Sequence, residues 1–420
     1  MCMKREIILV QLAGEDRPGF FAAILGSIAQ FGVRVVDMCQ SVIHETLSLG
    51  FVLEVPPGAA SAPILKDLLF CAHGLGLSAK FTPIPEDAYE EWVAGQGRPR
   101  HIVTLLGRSL TAQHLAQLGQ LLAQQGLSID TVTRLSERVS LARPSASPRA
   151  CLEFSVRGTP QDRFAMRAAL LELSRDLGVD VAFQEDSVFR RIRRLVCFDM
   201  DSTLIEAEVI DELAARAGVG PQVAAITEAA MRGELDFRQS LTERVRLLAG
   251  LPESVLGQVA ASLRLTEGAE RLVRTVKALG YKVAILSGGF TYFGRVLQER
   301  LGIDFVHANA LEVKDGRLTG RLVGDIVDGP GKAARLRAIA AAEGISLDQV
   351  IAVGDGANDL PMLQIAGLGI AFHAKPVVRE GASQAISNLG LDGVLYLLGL
   401  RDREMAALEG MMQRAQEAQR

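Results

Sequence analysis

RRIRRLVCFDMDST (190–203) is the stretch where the sequence changes character. Four arginines lead into LVCF (195–198), a run without a polar residue, and two aspartates follow, two positions apart. An apolar run with no alternation is what a strand buried on both faces requires. Runs of the same kind recur at KVAIL (282–286), DFVHA (304–308), VIAVG (350–354) and LGIAF (368–372), with helical patterns between them. Strand and helix in alternation imply an α/β fold, a doubly wound parallel sheet. The DG pair Asp315–Gly316, between LEVK and RLTGRLV, predicts a hairpin turn. Residues 206–265 contain no strand-like run and read as a helical cap over the strand ends.

Toward the N-terminus the periodicity is different. EIILVQL (6–12) reads as a strand, and Pro18 to Phe31 carries apolar residues at helical spacing, with Asp16 placed for an N-cap and Gly32 as a stop. Strands over Val33–Val42 and Leu47–Val55, a helix over Ala62–His73 and a strand near Leu77–Phe81 complete the order β-α-β-β-α-β. That order is the ferredoxin-like supersecondary pattern. It returns about 95 residues later: HIVTLLG (101–107), a helix over Thr111–Gln125, strands over Leu127–Leu135 and Ala150–Val156, a helix over Pro160–Asp176, and Val179–Phe183. The expected organisation is therefore two α+β domains, 1–85 and 100–185, and an α/β domain over 190–420. GQGRPR (95–100) has linker composition, and RPSASPR (143–149) reads as a mobile loop.

Bulk composition narrows the class of function. With 420 residues the chain exceeds a single core. Apolar residues at 49% and charged residues at 22% are ordinary globular usage. The net charge of −4 supplies no cationic field for nucleic acid or anionic lipid. Arg190, Arg191, Arg193 and Arg194 lack interleaved aromatic residues and read as a solvated lead-in to a buried strand. Five scattered cysteines form neither a disulfide framework nor a zinc cage. No export segment and no run of about 18 apolar residues is seen. A cytoplasmic protein acting on a small molecule, with no nucleic acid and no membrane partner, is expected.

The chemistry lies at the strand ends. Asp199, Asp201 and Thr203 form D-x-D-x-T directly after LVCF, and ligands of doubly wound sheets bind outside the carboxyl ends of the strands. One carboxylate can attack phosphorus while the other handles a proton. Two acids beside a phosphate repel it unless a cation intervenes, and all-oxygen ligation suits Mg²⁺. Asp355 in GDGAND (354–359), after VIAV, supplies a third carboxylate, with Asn358 and Asp359 close by. Ser287 and the N–H groups of Gly288 and Gly289 in SGGF (287–290) are candidates to hold phosphate oxygens. Lys332 in DGPGKAARL (328–336) is a candidate to neutralise charge on phosphate or nucleophile.

FDMDSTLI, AMRGELDFRQSLTERV, ILSGGF, GK and AVGDGANDLPM, in that order over 190–400, resemble the haloacid dehalogenase superfamily and, within it, the phosphoserine phosphatase family. The resemblance implies that Asp199 is phosphorylated and that Asp201 is the general acid and base. It implies Mg²⁺ on Asp199, Asp355 and the backbone carbonyl of Asp201. Phosphate contacts would fall to Ser287, Gly288, Lys332 and Asn358. Glu208 and Arg244 would bind the amino-acid part of L-phosphoserine, with Met231 and Phe237 closing over it. The charges agree independently, since an acid suits an ammonium and a forked guanidinium suits a carboxylate.

The N-terminal repeats resemble ACT domains, which bind small ligands such as amino acids and join through their sheets. The resemblance implies a regulatory site for serine at GEDRPG (14–19), with Asp16 and Gly19, and a homodimer. The second copy has GRSLTA (107–112) at that place. Other readings are a phosphatase or phosphotransferase for another small ester, opposed by Glu208 and Arg244, and an amino-acid sensor with a decayed catalytic half, opposed by three intact carboxylates. Dehalogenation has no use for Asp201 or Mg²⁺.

Overall fold

The computed structural model describes residues 5–140, 142 and 147–418. Cys2 and most of the expected loop 143–149 lie outside them. Two compact units are present, Met1–Arg98 and Pro99–Arg420.

The first unit contains strands β1 (Glu6–Glu15), β2 (Arg34–Ile43), β3 (Thr46–Val55) and β4 (Ser78–Ile84), all paired antiparallel in the order β2-β3-β1-β4. Leu47, Leu49, Phe51, Leu53 and Val55 face inward at the strand period of two. Phe20, Ile24 and Ile28 of helix Phe20–Ile28, and Ile64, Leu68 and Ala72 of helix Ser61–Gly74, meet them at helical spacing. Asp16 is not the N-cap. Pro18 and Gly19 form a turn, the helix starts at Phe20, and Gly19 occupies the cap position at φ 93° with no side-chain cap. Asp16 therefore lies too far upstream to reach the free N–H groups of the first turn. Gly32, at φ 62°, ends the segment as expected. Helix Glu86–Ala94 is an additional element; Tyr89, Trp92 and Val93 fall at helical spacing on it, but none of its residues is fully buried.

The second unit opens with the repeated motif, strands β5 (Arg100–Gly107), β6 (Ser128–Arg134), β7 (Ala150–Arg157) and β8 (Asp180–Glu185) in the order β6-β7-β5-β8. A seven-stranded sheet follows: β9 (Leu195–Phe198), β10 (Lys282–Phe290), β11 (Phe305–Lys314), β12 (Arg317–Val323), β13 (Val350–Gly354), β14 (Leu368–Phe372) and β15 (Gln384–Ile386). Its order is β12-β11-β10-β9-β13-β14-β15, with β9 between β10 and β13 and parallel to both. Only β12 runs antiparallel, returning through Asp315 and Gly316, both at positive φ. All four residues of β9 are buried. Leu195 and Cys197 enter one core, Val196 and Phe198 the other, so helices cover both faces. Residues 206–265 are helical with short connections, as expected of a cap.

The second βαββαβ motif shares the core of the α/β sheet. Leu106, Leu135, Cys151 and Ala182 pack in the same cluster as Val196 and Phe198. Burial pushes the Cys151 and Cys197 thiols above their ordinary range, which removes their nucleophilic form. The Gln384 side chain accepts from Phe183 N–H at 2.9 Å and donates to Phe183 O at 2.7 Å, bridging β15 to β8.

Candidate active site

Strand β9 ends at Phe198, and the next residue, Asp199, is held by its own neighbours. Its N–H donates to Val353 O at 2.9 Å, which fixes it against β13, and its Oδ1 accepts from Met200 N–H at 2.7 Å. The chain then turns tightly, Ile205 N–H returning to Met200 O at 3.1 Å, with Ser202 at φ 53°. That left-handed conformation is costly for serine. It turns the Ser202 hydroxyl to donate to Glu208 Oε1 at 2.7 Å, while Asp201 Oδ1 accepts from Val209 N–H at 3.1 Å. One strained turn thus places Asp199, Asp201 and Glu208 around a single space.

The end of β13 supplies the opposite wall. Asp355 Oδ1 accepts from Thr203 Oγ1 at 3.1 Å, which gives the last residue of D-x-D-x-T its part. Asp359 Oδ2 accepts from Gly356 N–H at 2.9 Å. Carboxylate oxygens of Asp199, Asp355 and Asp359 lie within 4.8 Å of one another. Burial first, and then the nearby Asp199 charge, raises both Asp355 and Asp359 to about 7. Three crowded acids with such poorly tolerated charge fit a bound divalent cation. The sequence reading placed Asp359 nearby without assigning it to the cluster; its position four residues after Asp355 is the signal that was available.

Lys332 stands in the centre of this charge. It opens helix Gly329–Ala342, whose N-cap Asp328 accepts from Gly331 N–H at 2.9 Å. Its ammonium is 0% exposed and donates to Asp359 Oδ1 at 2.6 Å and to Asp199 Oδ1 at 2.9 Å. Burial disfavours its charge, but the two carboxylates outweigh that and hold its pKa above the ordinary lysine range. Both bonds of Asp199 therefore fall on Oδ1.

Strand β10 provides the third side. Ser287 is buried, and its Oγ accepts from Gly289 N–H at 2.9 Å, so that N–H is not free for a ligand. A Cβ at Gly288 would come within 2.7 Å of Phe237 Cζ, and one at Gly289 would collide with Asp201 Oδ2. The two glycines let the cap and the acid approach the strand end closely. Asn309 locks this turn by donating to Gly288 O at 2.7 Å.

These walls enclose a cavity of about 180 Å³. Asp199, Asp201, Ser287, Glu208 and Arg244 line it, together with Phe237, Gly288 and Asn358. Asp201 is pushed well above the usual carboxylate range by burial, then by Glu208 and Asp199. Burial likewise raises Glu208, and it lowers Arg244. A wider cleft of about 1360 Å³ adjoins through Phe237, Arg244, Asp355 and Asn358. Met231 belongs to that cleft rather than to the inner cavity, is 65% exposed, and has its Sδ 3.8 Å from Lys375 Nζ. Asp16 and Gly19 lie in the other unit and form no part of this site.

A parallel sheet with paired aspartates after its central strand, a buried lysine and a third acid after the neighbouring strand defines a haloacid dehalogenase-like hydrolase. The model of that family matches residues 196–364, and ACT domain models match 6–82 and 99–184. A phosphoserine phosphatase of Streptomyces coelicolor is 45% identical over 96% of this chain and 94% of its own length. One from Mycobacterium tuberculosis is 41% identical over 96% and 95%. Among solved structures, a probable phosphoserine phosphatase from Vibrio cholerae covers 74% of this chain and 88% of its own, at 33% identity and a TM-score of 0.56. The chain belongs to the phosphoserine phosphatase family.

Proposed function

We propose that this protein hydrolyses L-phosphoserine to L-serine and phosphate through an aspartyl phosphate on Asp199. The observation that carries the reading is the inner cavity, where Asp199 and Asp201 share the lining with an acid, Glu208, and a guanidinium, Arg244. Phosphoserine offers the complementary groups: a phosphate, an ammonium and a carboxylate. Glu208 takes the ammonium and Arg244 the carboxylate. Ser287, Gly288 and Asn358 hold phosphate oxygens, with Phe237 over the substrate and Met231 brought in when the cap closes.

Asp199 attacks phosphorus through Oδ2, since Oδ1 is engaged by Lys332 and Met200. The new P–O bond forms as the bond to the serine oxygen breaks, and Asp201, kept protonated by its buried setting, gives its proton to that oxygen. Once serine has left, the Asp201 carboxylate takes a proton from water, which attacks phosphorus and frees Asp199 and phosphate. Lys332 balances charge on Asp199 throughout. Asp199, Asp355 and the backbone carbonyl of Asp201 would hold Mg²⁺, with Asp359 beside them. When bound, the ion neutralises the acids and the phosphate and polarises the P–O bond.

The division into ACT-like domains over 1–85 and 100–185 and a catalytic domain over 190–420, with a cap over 206–265, belongs to the same reading. So does control by serine at the loop of Asp16 and Gly19, where a Cβ on Gly19 would meet open space, in a homodimer. The test is phosphate release from phosphoserine, phosphothreonine and sugar phosphates with Mg²⁺, with and without free serine. Phosphoserine is expected to lead clearly, and equal rates for sugar phosphates would overturn the substrate assignment.

A further inference from the structure

A second cavity, of about 270 Å³, lies within the second unit where the βαββαβ motif meets the seven-stranded sheet. It sits over the seam at which β8, the edge of one sheet, is joined to β15, the edge of the other, by the Gln384 side chain. Arg163 and Arg167 of helix Arg163–Leu177 and Arg379 of helix Pro376–Gly381 line it. None of the three has a carboxylate within ion-pair distance among the described residues; Arg167 donates only to the Arg379 carbonyl, at 3.4 Å.

His101 of β5 lines the same cavity and is 3% exposed, stacked on Phe183 with ring centroids 4.7 Å apart. Its Nδ1 has no hydrogen-bond partner among the described residues. A buried polar atom left alone is costly, so this is where an added partner would be held most strongly. Met166, Leu170 and Val181 form an apolar wall, and Glu185 is the one acid at the rim, leaving the cationic groups in excess.

From this convergence of three guanidinium groups without carboxylate partners, a buried imidazole Nδ1 without a hydrogen-bond partner and an apolar wall we infer a binding site for a small organic carboxylate with an aliphatic body. The carboxylate pairs with the guanidinium groups and accepts from the imidazole, while its hydrocarbon end rests on Met166 and Leu170. The volume suits a ligand of modest size, and the wall favours a hydrocarbon chain over a bare inorganic anion. None of these residues belongs to the Asp199 cavity, so the site does not depend on the catalytic reading.

The experiment is calorimetric titration of the full-length protein with 4-methylpentanoate, with 4-methylpentanamide and inorganic phosphate as comparison probes. Each is repeated on Arg167→Met and Arg379→Met, which keep the apolar stem, and on Arg244→Ala, which removes a cation from the other cavity. Saturable binding of the carboxylate is expected in wild type and in Arg244→Ala. A loss of about tenfold or more is expected in Arg167→Met and Arg379→Met, as for a broken charge-assisted bond. Unchanged circular dichroism and phosphatase activity of those two variants would exclude misfolding as the cause. The inference is overturned if the carboxylate does not bind wild type, if the amide binds as well as it does, if phosphate binding is lost in Arg167→Met and Arg379→Met as fully as carboxylate binding, or if only Arg244→Ala abolishes binding.

Discussion

Asp199 and Asp201 stand two residues apart, yet their surroundings separate their chemistry. Asp199 is tied through Oδ1 to Lys332 at 2.9 Å, while burial beside Glu208 keeps the proton on Asp201. Asp201→Asn is expected to slow turnover by about 100-fold to 10,000-fold, the range for loss of a general acid, with the fold intact. Steady-state phosphate release checks this, and near-normal activity would mean that another group protonates the serine oxygen. Arg244 makes a different kind of contribution. Arg244→Ala should lower kcat/KM for phosphoserine by about tenfold or more while hardly affecting a phosphate ester without a carboxylate. Equal losses on both esters would place its role at phosphate or in folding.

At the scale of elements, the ends of β9, β10 and β13 build the site, and the closeness of their approach is set by glycines. Gly289→Ala puts a methyl group against Asp201 Oδ2 and Met200 Cε. A displacement of about 1 Å in a reacting group can cost about 100-fold, and a kcat loss of that order is expected with secondary structure retained. Activity within a few-fold of wild type would show that Asp201 tolerates the shift. These strands were legible in the sequence because burial on both faces leaves runs such as LVCF and VIAVG without polar residues. The β11–β12 hairpin was legible because its turn needs positive φ at Asp315 and Gly316. β15 was not, since three residues give no period to read, and its Gln384 side chain takes over part of the pairing. Helix Glu86–Ala94 has only Tyr89, Trp92 and Val93 at helical spacing and buries nothing fully, so its signal is short. Asp16 looked like a cap because the sequence does not reveal that Pro18 and Gly19 turn before the helix begins. In the candidate site, residue types at strand ends pointed to the acids, and Lys332, which the structure places in helix Gly329–Ala342, was a candidate for neutralising charge. The spacing of Asp359 after Asp355 hinted at its place in the cluster, but its bond to Lys332 depends on a close approach across the fold, which spacing does not disclose.

At the scale of the molecule, the second βαββαβ motif is built into the catalytic unit by a common core and by charged contacts. Arg108 clasps Glu267, at the base of the cap, with bonds of 2.9 and 2.6 Å, and the Ser147 hydroxyl donates to the same carboxylate at 2.6 Å. These hydrogen bonds hold the Glu267 carboxyl down to about 2, below its ordinary value of 4.5. A depressed carboxyl stabilises the folded state above the unfolded value and loses that contribution as pH falls toward the folded one. The stability difference between wild type and Glu267→Gln should therefore be present at pH 5 and shrink steadily as the pH drops below about 4.5. Urea unfolding across that window measures it, and a difference independent of pH would show that the carboxylate charge is not what matters.

The central claim is that the phosphoryl group of phosphoserine passes through Asp199. Rapid acid quenching of turnover with phosphate-labelled L-phosphoserine, followed by peptide mapping, tests it most directly. The account predicts label on the peptide bearing Asp199, none in Asp199→Asn, and turnover by that variant at least about 1,000-fold slower. Label on another residue, or undiminished turnover by Asp199→Asn, would contradict it.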